Sequence, residues 1–334
     1  MKYLIVGDIH AGKKTRNSRN GETFHKVLID YAHWVKDVAN EHDIKRIVQM
    51  GDVFDNRNAI SLETLECVTT FFNILEEFHI DITCGNHDAL LNDNASINSL
   101  SPFKKHPNIT VHDKVTIQDD TVFAGWGVKL DDFPPCKIFF GHIDTIGFEL
   151  QKNRIATHGF KASDLMDKVS GAVFTGHYHL PQVRHYSGKP LCYTGSAFSL
   201  DWNDEGSTKY VYILDTDTLE VEKIENIVSP RFYHINNESQ LGLVPGNFVS
   251  IDYVMGEVGE KWKSKVLAMN PLELRTNTIR EKVQQIDNNE IKEFKVVDIK
   301  ETLGNWPMEN LTNLSEDLKK KVAQKCQMMY DRLS

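Results

Sequence analysis

Five times along the chain a short apolar run stops at a glycine, and a side chain suited to metal binding follows at once. The five are Tyr3-Leu4-Ile5-Val6-Gly7-Asp8, Ile47-Val48-Gln49-Met50-Gly51-Asp52, Ile80-Asp81-Ile82-Thr83-Cys84-Gly85-Asn86, Ile138-Phe139-Phe140-Gly141-His142 and Ala172-Val173-Phe174-Thr175-Gly176-His177. Apolar runs of this length, rich in β-branched residues and closed by Gly, predict buried strands. Between the first two runs, Phe24, Val27, Leu28, Tyr31, Val35 and Val38 fall on one helical face. Leu65, Val68, Phe72 and Leu75 do the same between the second and third. Strand alternating with helix predicts an α/β sheet with helices packed on it. Ligands of such sheets bind beyond the carboxyl ends of the strands, so these distant side chains are expected to converge.

The pattern changes after Thr194. Tyr210 to Leu214, followed by Asp215-Thr216-Asp217, predicts a strand and turn that close a first domain. From Gly246 to Met255, Val249, Ile251 and Tyr253 alternate with Ser250 and Asp252, which predicts a half-buried strand in a smaller α+β domain. Residues 257–270 read as a helix, Leu272 to Ile279 as a strand and Gln284 to Glu290 as a polar loop. From Ser315 to Leu333 a terminal helix is expected. Ser315 can cap it, Glu316 and Asp317 suit its N-terminal dipole, and Leu318, Val322, Cys326, Met329 and Leu333 form an apolar stripe. The expected boundaries are 1–228, 229–300 and 301–334.

Composition narrows the class. With 334 residues, 40% hydrophobic and 25% charged, the chain has ample material for a core. No run of 18 apolar residues is present and the N-terminus is unlike a signal peptide, so no membrane association is expected. Five cysteines without a C-x-x-C pair argue against zinc fingers and a disulfide framework, and fit a reducing cytoplasm. A net charge of −9 disfavours a nonspecific nucleic-acid coat. Local charge differs: Gly12 to Asn20 carries Lys13, Lys14, Arg16 and Arg19 and no acid. This stretch reads either as a DNA-phosphate contact or as a solvated loop.

The candidate ligands are Asp8, His10, Asp52, Asn86, His142, His177 and His179. Asp8 and His10 are two apart, as are His177 and His179, so on an extended chain each pair faces one side. Oxygen and imidazole donors without thiolate suit Mn²⁺, Fe or Zn²⁺. Seven ligands exceed one ion's needs but suit two ions sharing a carboxylate, for which Asp52 is the candidate. Such a pair activates water and neutralises charge on a phosphate in the transition state. His87 is better placed to donate a proton or bind the phosphate than to hold metal, and Asp88 is the candidate to fix its tautomer. Asp55 and Arg57 read equally as a structural ion pair or as substrate contacts.

Taken in order, Gly7-Asp8-Ile9-His10, Gly51-Asp52-Val53-Phe54-Asp55, Gly85-Asn86-His87-Asp88, Gly141-His142 and Gly176-His177-Tyr178-His179 resemble the signature of calcineurin-like metallophosphoesterases. Within that superfamily the chain is similar to SbcD/Mre-type nucleases, above all the short phage recombination nucleases. Asn56-Arg57, Gly147-Phe148 and Tyr193-Thr194-Gly195-Ser196 carry the finer likeness. The motifs cover residues 1 to about 215, and the later part matches only in position and pattern. The resemblance implies a layered sandwich of sheets flanked by helices, a small capping domain and C-terminal helices that dock on a partner. It implies a Mn²⁺-dependent DNA exonuclease and endonuclease for recombination or repair, with an SbcC-type coiled-coil ATPase. Mg²⁺, Fe and Zn²⁺ remain alternatives to Mn²⁺, a homodimer is left open, and the setting would be the host cytoplasm if the chain is phage-encoded. One ion would take Asp8, His10, Asp52 and His179, the other Asp52, Asn86, His142 and His177, and His87 would face the substrate. Some relatives carry a further histidine where this chain has Asp55, so that role is not transferred.

Two other readings use the same residues. The metal motifs alone permit a small-substrate phosphatase or cyclic-nucleotide phosphodiesterase, which would need neither the extra domain nor the terminal helix. A non-catalytic scaffold would not need the complete ligand set.

Overall fold

The computed structural model describes residues 1–14, 22–91, 93–279, 305–308, 310–311 and 314–330. Arg16, Arg19, the loop at 284–290 and Leu333 lie outside them. By internal contact the chain forms two compact units, Met1–Arg280 and Glu281–Ser334.

The first unit is a sandwich of two six-stranded sheets. One sheet has β1 (Lys2–Val6), β2 (Arg46–Gln49), β3 (His79–Thr83) and β4 (Ile109–His112) as parallel neighbours. Beyond β1 lie the antiparallel β13 (Tyr210–Asp215) and β14 (Val221–Glu225). The other runs β11 (Gln182–Tyr186), β12 (Lys189–Tyr193), β10 (Val169–Gly176), β7 (Cys136–His142), β6 (Thr121–Ala124), β5 (Thr116–Gln118). A short hairpin, β8 (Glu149–Gln151) with β9 (Arg154–Ile155), stands outside it.

The central strands are apolar on both faces because both faces are covered, whereas the edge strands β5, β11 and β14 are partly exposed. In β1, Leu4 and Val6 face the core shared with the helices α1 (Glu22–Glu41) and α2 (Leu62–Ile74), while Tyr3 and Ile5 join the core between the sheets. In β7, Ile138 and Phe140 enter the same inter-sheet core, and Phe139 points to the outer core with Leu165 and Met166 of α3 (Ala162–Lys168). The expected helix stripes are seated as read: all six α1 residues are buried, as are Val68, Phe72 and Leu75. Ser61 caps α2 by accepting the Thr64 N–H at 3.2 Å.

A three-stranded parallel sheet follows, β15 (Phe232–Ile235), β16 (Phe248–Val254) and β17 (Glu273–Ile279), with α4 (Glu257–Leu267) against β16. Ile235, Val249, Ile251 and Val266 form its own small core. Phe232 and Phe248 instead stack with each other, ring centroids 4.4 Å apart, and join Phe24 in the main core. In the second unit, α5 (Glu316–Tyr330) leaves Leu318 and Met329 exposed on its apolar stripe. Among the described residues no helix is long and apolar enough to cross a membrane, and the five cysteines are free thiols.

Candidate metal centre

All five glycine–ligand pairs lie at the carboxyl ends of parallel strands. β1, β2 and β3 of one sheet and β7 and β10 of the other deliver them to one place. His10 Nε2 lies 3.0 Å from His179 Nε2 and 3.6 Å from Asp52 Oδ2. Asp52 Oδ2 lies 3.4 Å from His142 Nε2. Asn86 Oδ1 is 3.0 Å from His142 Nε2 and 2.8 Å from His177 Nδ1. Two groupings result, Asp8 with His10 and His179, and Asp52 with His142 and His177. A third gathers His10, Asp55 and His87.

The glycines matter for room as much as for bending. A Cβ on Gly176 would lie 2.5 Å from Asp8 Oδ1 and 2.7 Å from His142 Nδ1. One on Gly85 would run into the Asp52 carboxylate. These two glycines therefore clear space that another strand's candidate ligand occupies. The backbone is also strained here: His10, Asp52 and His177 take φ of 42°, 48° and 90°, a region that costs a non-glycine residue about 1–3 kcal/mol.

Charge is concentrated and buried. Burial opposes ionisation of Asp52, yet the facing His142, with His10 and His87, holds its carboxyl far below the usual range. Burial also acts against His142, but the Asp52 carboxylate pushes it up to about 10. Burial and the neighbouring Asp52 carboxylate leave Asp8 well above the usual range despite His142. Burial, with His10 beside it, drives His179 well below the usual imidazole value. Asp8 Oδ1 is buried with no hydrogen-bond donor among the described residues. An orphaned carboxylate oxygen, two imidazole nitrogens face to face and an amide oxygen between two histidines are what divalent cations would satisfy. The residues fit such ions.

No protein-family profile matches the chain. Over 247 residues it is 28% identical to exonuclease subunit 1 of Enterobacteria phage T4, spanning 68% of each chain. Two solved structures also align, at 13% identity each. The match to a single mutant of Vps29 from Entamoeba histolytica covers 68% of this chain and 99% of that one, TM-score 0.31. The match to Yfce, a phosphoesterase from E. coli, covers 69% and 100%, TM-score 0.34. Likeness at that level does not bear on function.

Around the candidate ligands, one expected contact is replaced. Asp88 does not orient His87. Its buried carboxylate accepts the N–H groups of Val53, Phe54 and Gly85 at 3.1–3.2 Å, because the two ligand-bearing turns would otherwise leave those donors orphaned. The tautomer of His87 is set instead by the Asp55 carbonyl, 2.7 Å from Nδ1, and its own N–H donates to Asp52 Oδ1 at 2.7 Å. Asp55 lies 3.5 Å from His10 Nδ1 and 3.7 Å from Lys13 Nζ, while Arg57 donates to the Ala89 carbonyl at 3.3 Å. Lys13 is also 3.8 Å from Asp201, and Lys14 is exposed beside Trp202 and Arg275.

Three residues that the sequence reading passed over stand next to the ligands. Asp144 Oδ1 is 2.8 Å from His177 Nε2 and accepts the Tyr178 hydroxyl at 3.1 Å, which directs His177 Nδ1 to the centre. The buried Lys209 donates to the His179 carbonyl at 2.7 Å and to Asp204 at 2.5 Å. Trp126 sets its ring 5.0 Å from that of His177. Asp144 follows His142 by two residues, the spacing that linked Asp8 to His10, so it was open to the same reading.

Proposed function

We propose that the chain is the nuclease subunit of a DNA recombination or repair complex and hydrolyses DNA phosphodiesters. The observation that carries this is the meeting of seven donor side chains from five strand ends. The name of the phage relative, an exonuclease subunit, supports the choice of a polynucleotide over a small phosphoester. Asp8, His10, Asp52 and His179 would hold one divalent ion and Asp52, Asn86, His142 and His177 another, with Mn²⁺ the best candidate. Bound there, the ions would supply an activated water and offset charge on the phosphate.

The chain's own groups do the rest. The Asp55 carbonyl fixes His87 through Nδ1, which leaves Nε2 to bond a phosphate oxygen or pass a proton to the leaving oxygen. Lys13 and Lys14, with Arg16 and Arg19 of the same stretch, would hold flanking phosphates, and Arg57 would contact the strand near Ala89. Residues 229–300 would cap the nuclease domain, and 301–334 would dock on an SbcC-type coiled-coil ATPase through the exposed stripe of α5. The test is a matrix of Mn²⁺, Mg²⁺ and Zn²⁺ against linear duplex DNA, phosphomonoesters and cyclic nucleotides, with and without such an ATPase. Mn²⁺-dependent release of nucleotides from duplex ends is expected. Turnover confined to small phosphoesters would overturn the proposal.

A further inference from the structure

The metal centre opens on two sides of different chemistry. Towards β8 and β9 the lining is mixed, with Gln151, Arg154, Asp201 and Asn203 near His177 and His179 beside Leu150 and Leu180. On the other side a cavity of about 350 Å³ is lined by Trp126, Val128, Leu130 and Phe160, with His142 and Asp144 at its polar edge. Trp126, Val128, Leu130 and Phe160 are half-buried, not sealed in a core, whereas Ile143 of the same lining is buried. Trp126 packs against the helix-side core, whereas Val128, Leu130 and Phe160 pack against the outer core of the second sheet. The cavity therefore sits where the two layers part, and its volume is that of a small-molecule site.

We propose that this cavity takes a nucleobase of the cleaved strand, from the nucleotide next to the scissile phosphate. The inference rests on the nuclease reading above. His142 belongs to both the cavity and the ligand set, so a group seated there is adjacent to the phosphate position. A phosphodiester strand offers one flat apolar group per unit, its base. Two aromatic side chains beside Val128, Leu130 and Ile143 suit that group and would accept any base, because every base presents a π-face, while Lys129 lies on the same wall. The side towards β8 and β9 is left for sugar and phosphate. Trp126 and Phe160 are thus specificity-determining residues for strands that carry bases.

The test measures binding of a labelled single-stranded oligonucleotide to the full chain in EDTA, by fluorescence anisotropy. The oligonucleotide is used intact and with one abasic residue placed at successive positions. For the wild type, one abasic position should weaken binding roughly 5- to 150-fold. Trp126→Ala should bring that intact-to-abasic ratio close to one, and Trp126→Phe should restore most of it. Should Trp126→Ala not fold, Phe160→Ala carries the same comparison. A ratio unchanged in Trp126→Ala would overturn the inference, as would a wild type indifferent to every abasic position. Mn²⁺-dependent hydrolysis of bis(p-nitrophenyl) phosphate, run in parallel, separates the two levels. A wild type that turns over this baseless diester yet neither binds nor cuts any oligonucleotide would overturn the nuclease reading, and the base site with it.

Discussion

Replacing Asp88 with Ala removes one buried carboxylate and orphans three backbone donors, the N–H groups of Val53, Phe54 and Gly85. Each buried unsatisfied donor costs about 1–3 kcal/mol, so the gross loss centres on about 6 kcal/mol. Part of this is returned, because burial and the Asp52 carboxylate push Asp88 up to about 6 from 3.8 and its removal relieves that charge. A net destabilisation of more than about 1 kcal/mol, smaller than the gross loss, follows, read as a lower urea midpoint at unchanged slope. Because these donors belong to the turns that carry Asp52 and Asn86, metal content should fall with it. An orienting role for Asp88 at His87 predicts the opposite pair, full stability and full metal content with slow turnover. Urea titration and elemental analysis of one preparation decide between them. A change under about 1 kcal/mol with unaltered metal would refute the clamp.

Three further outcomes are expected. His87→Ala should keep its metal but lose DNA cleavage by roughly 10²- to 10⁴-fold in single-turnover assays, and full-rate cutting would remove His87 from the chemistry. Asp81 is buried between Arg46, at 2.5 and 3.0 Å, and His112, at 2.8 Å. Burial opposes its ionisation, but these partners hold it below its ordinary 3.8. Its contribution is then complete above pH 3.8 and lost as acid protonates the folded form. Asp81→Ala should cost about 3–5 kcal/mol at pH 7, and progressively less below pH 3.8, in denaturant titrations. Ending the chain before Ser315 should abolish co-purification with a coiled-coil ATPase while leaving Mn²⁺-dependent cleavage intact, and undiminished complex formation would count against docking through α5.

Much of the fold was legible because local pattern and tertiary need coincide. Apolar strands closed by glycine need two covered faces, and the α1 and α2 stripes show what covers one of them. The candidate ligands were legible because strand ends concentrate them. The contacts that tune the site were not, since they join residues far apart with no periodic trace: Asp88 to Val53, Asp55 to His87, Lys209 to His179. Short strands such as β5, β9 and β14 also escaped, because they are held by pairing more than by their own apolar content. The glycine before each ligand read as a strand stop. The structure adds a second reason at Gly85 and Gly176, the space taken by Asp52, Asp8 and His142.

The most direct measurement is anomalous scattering from crystals grown with Mn²⁺, for the wild type and Asp52→Ala. The account predicts two peaks roughly 3.5–4 Å apart in the wild type, one by Asp8, His10 and His179 and one by Asn86, His142 and His177. Both should fade in the variant. A single peak in the wild type, or two at full height without the Asp52 carboxylate, would contradict it.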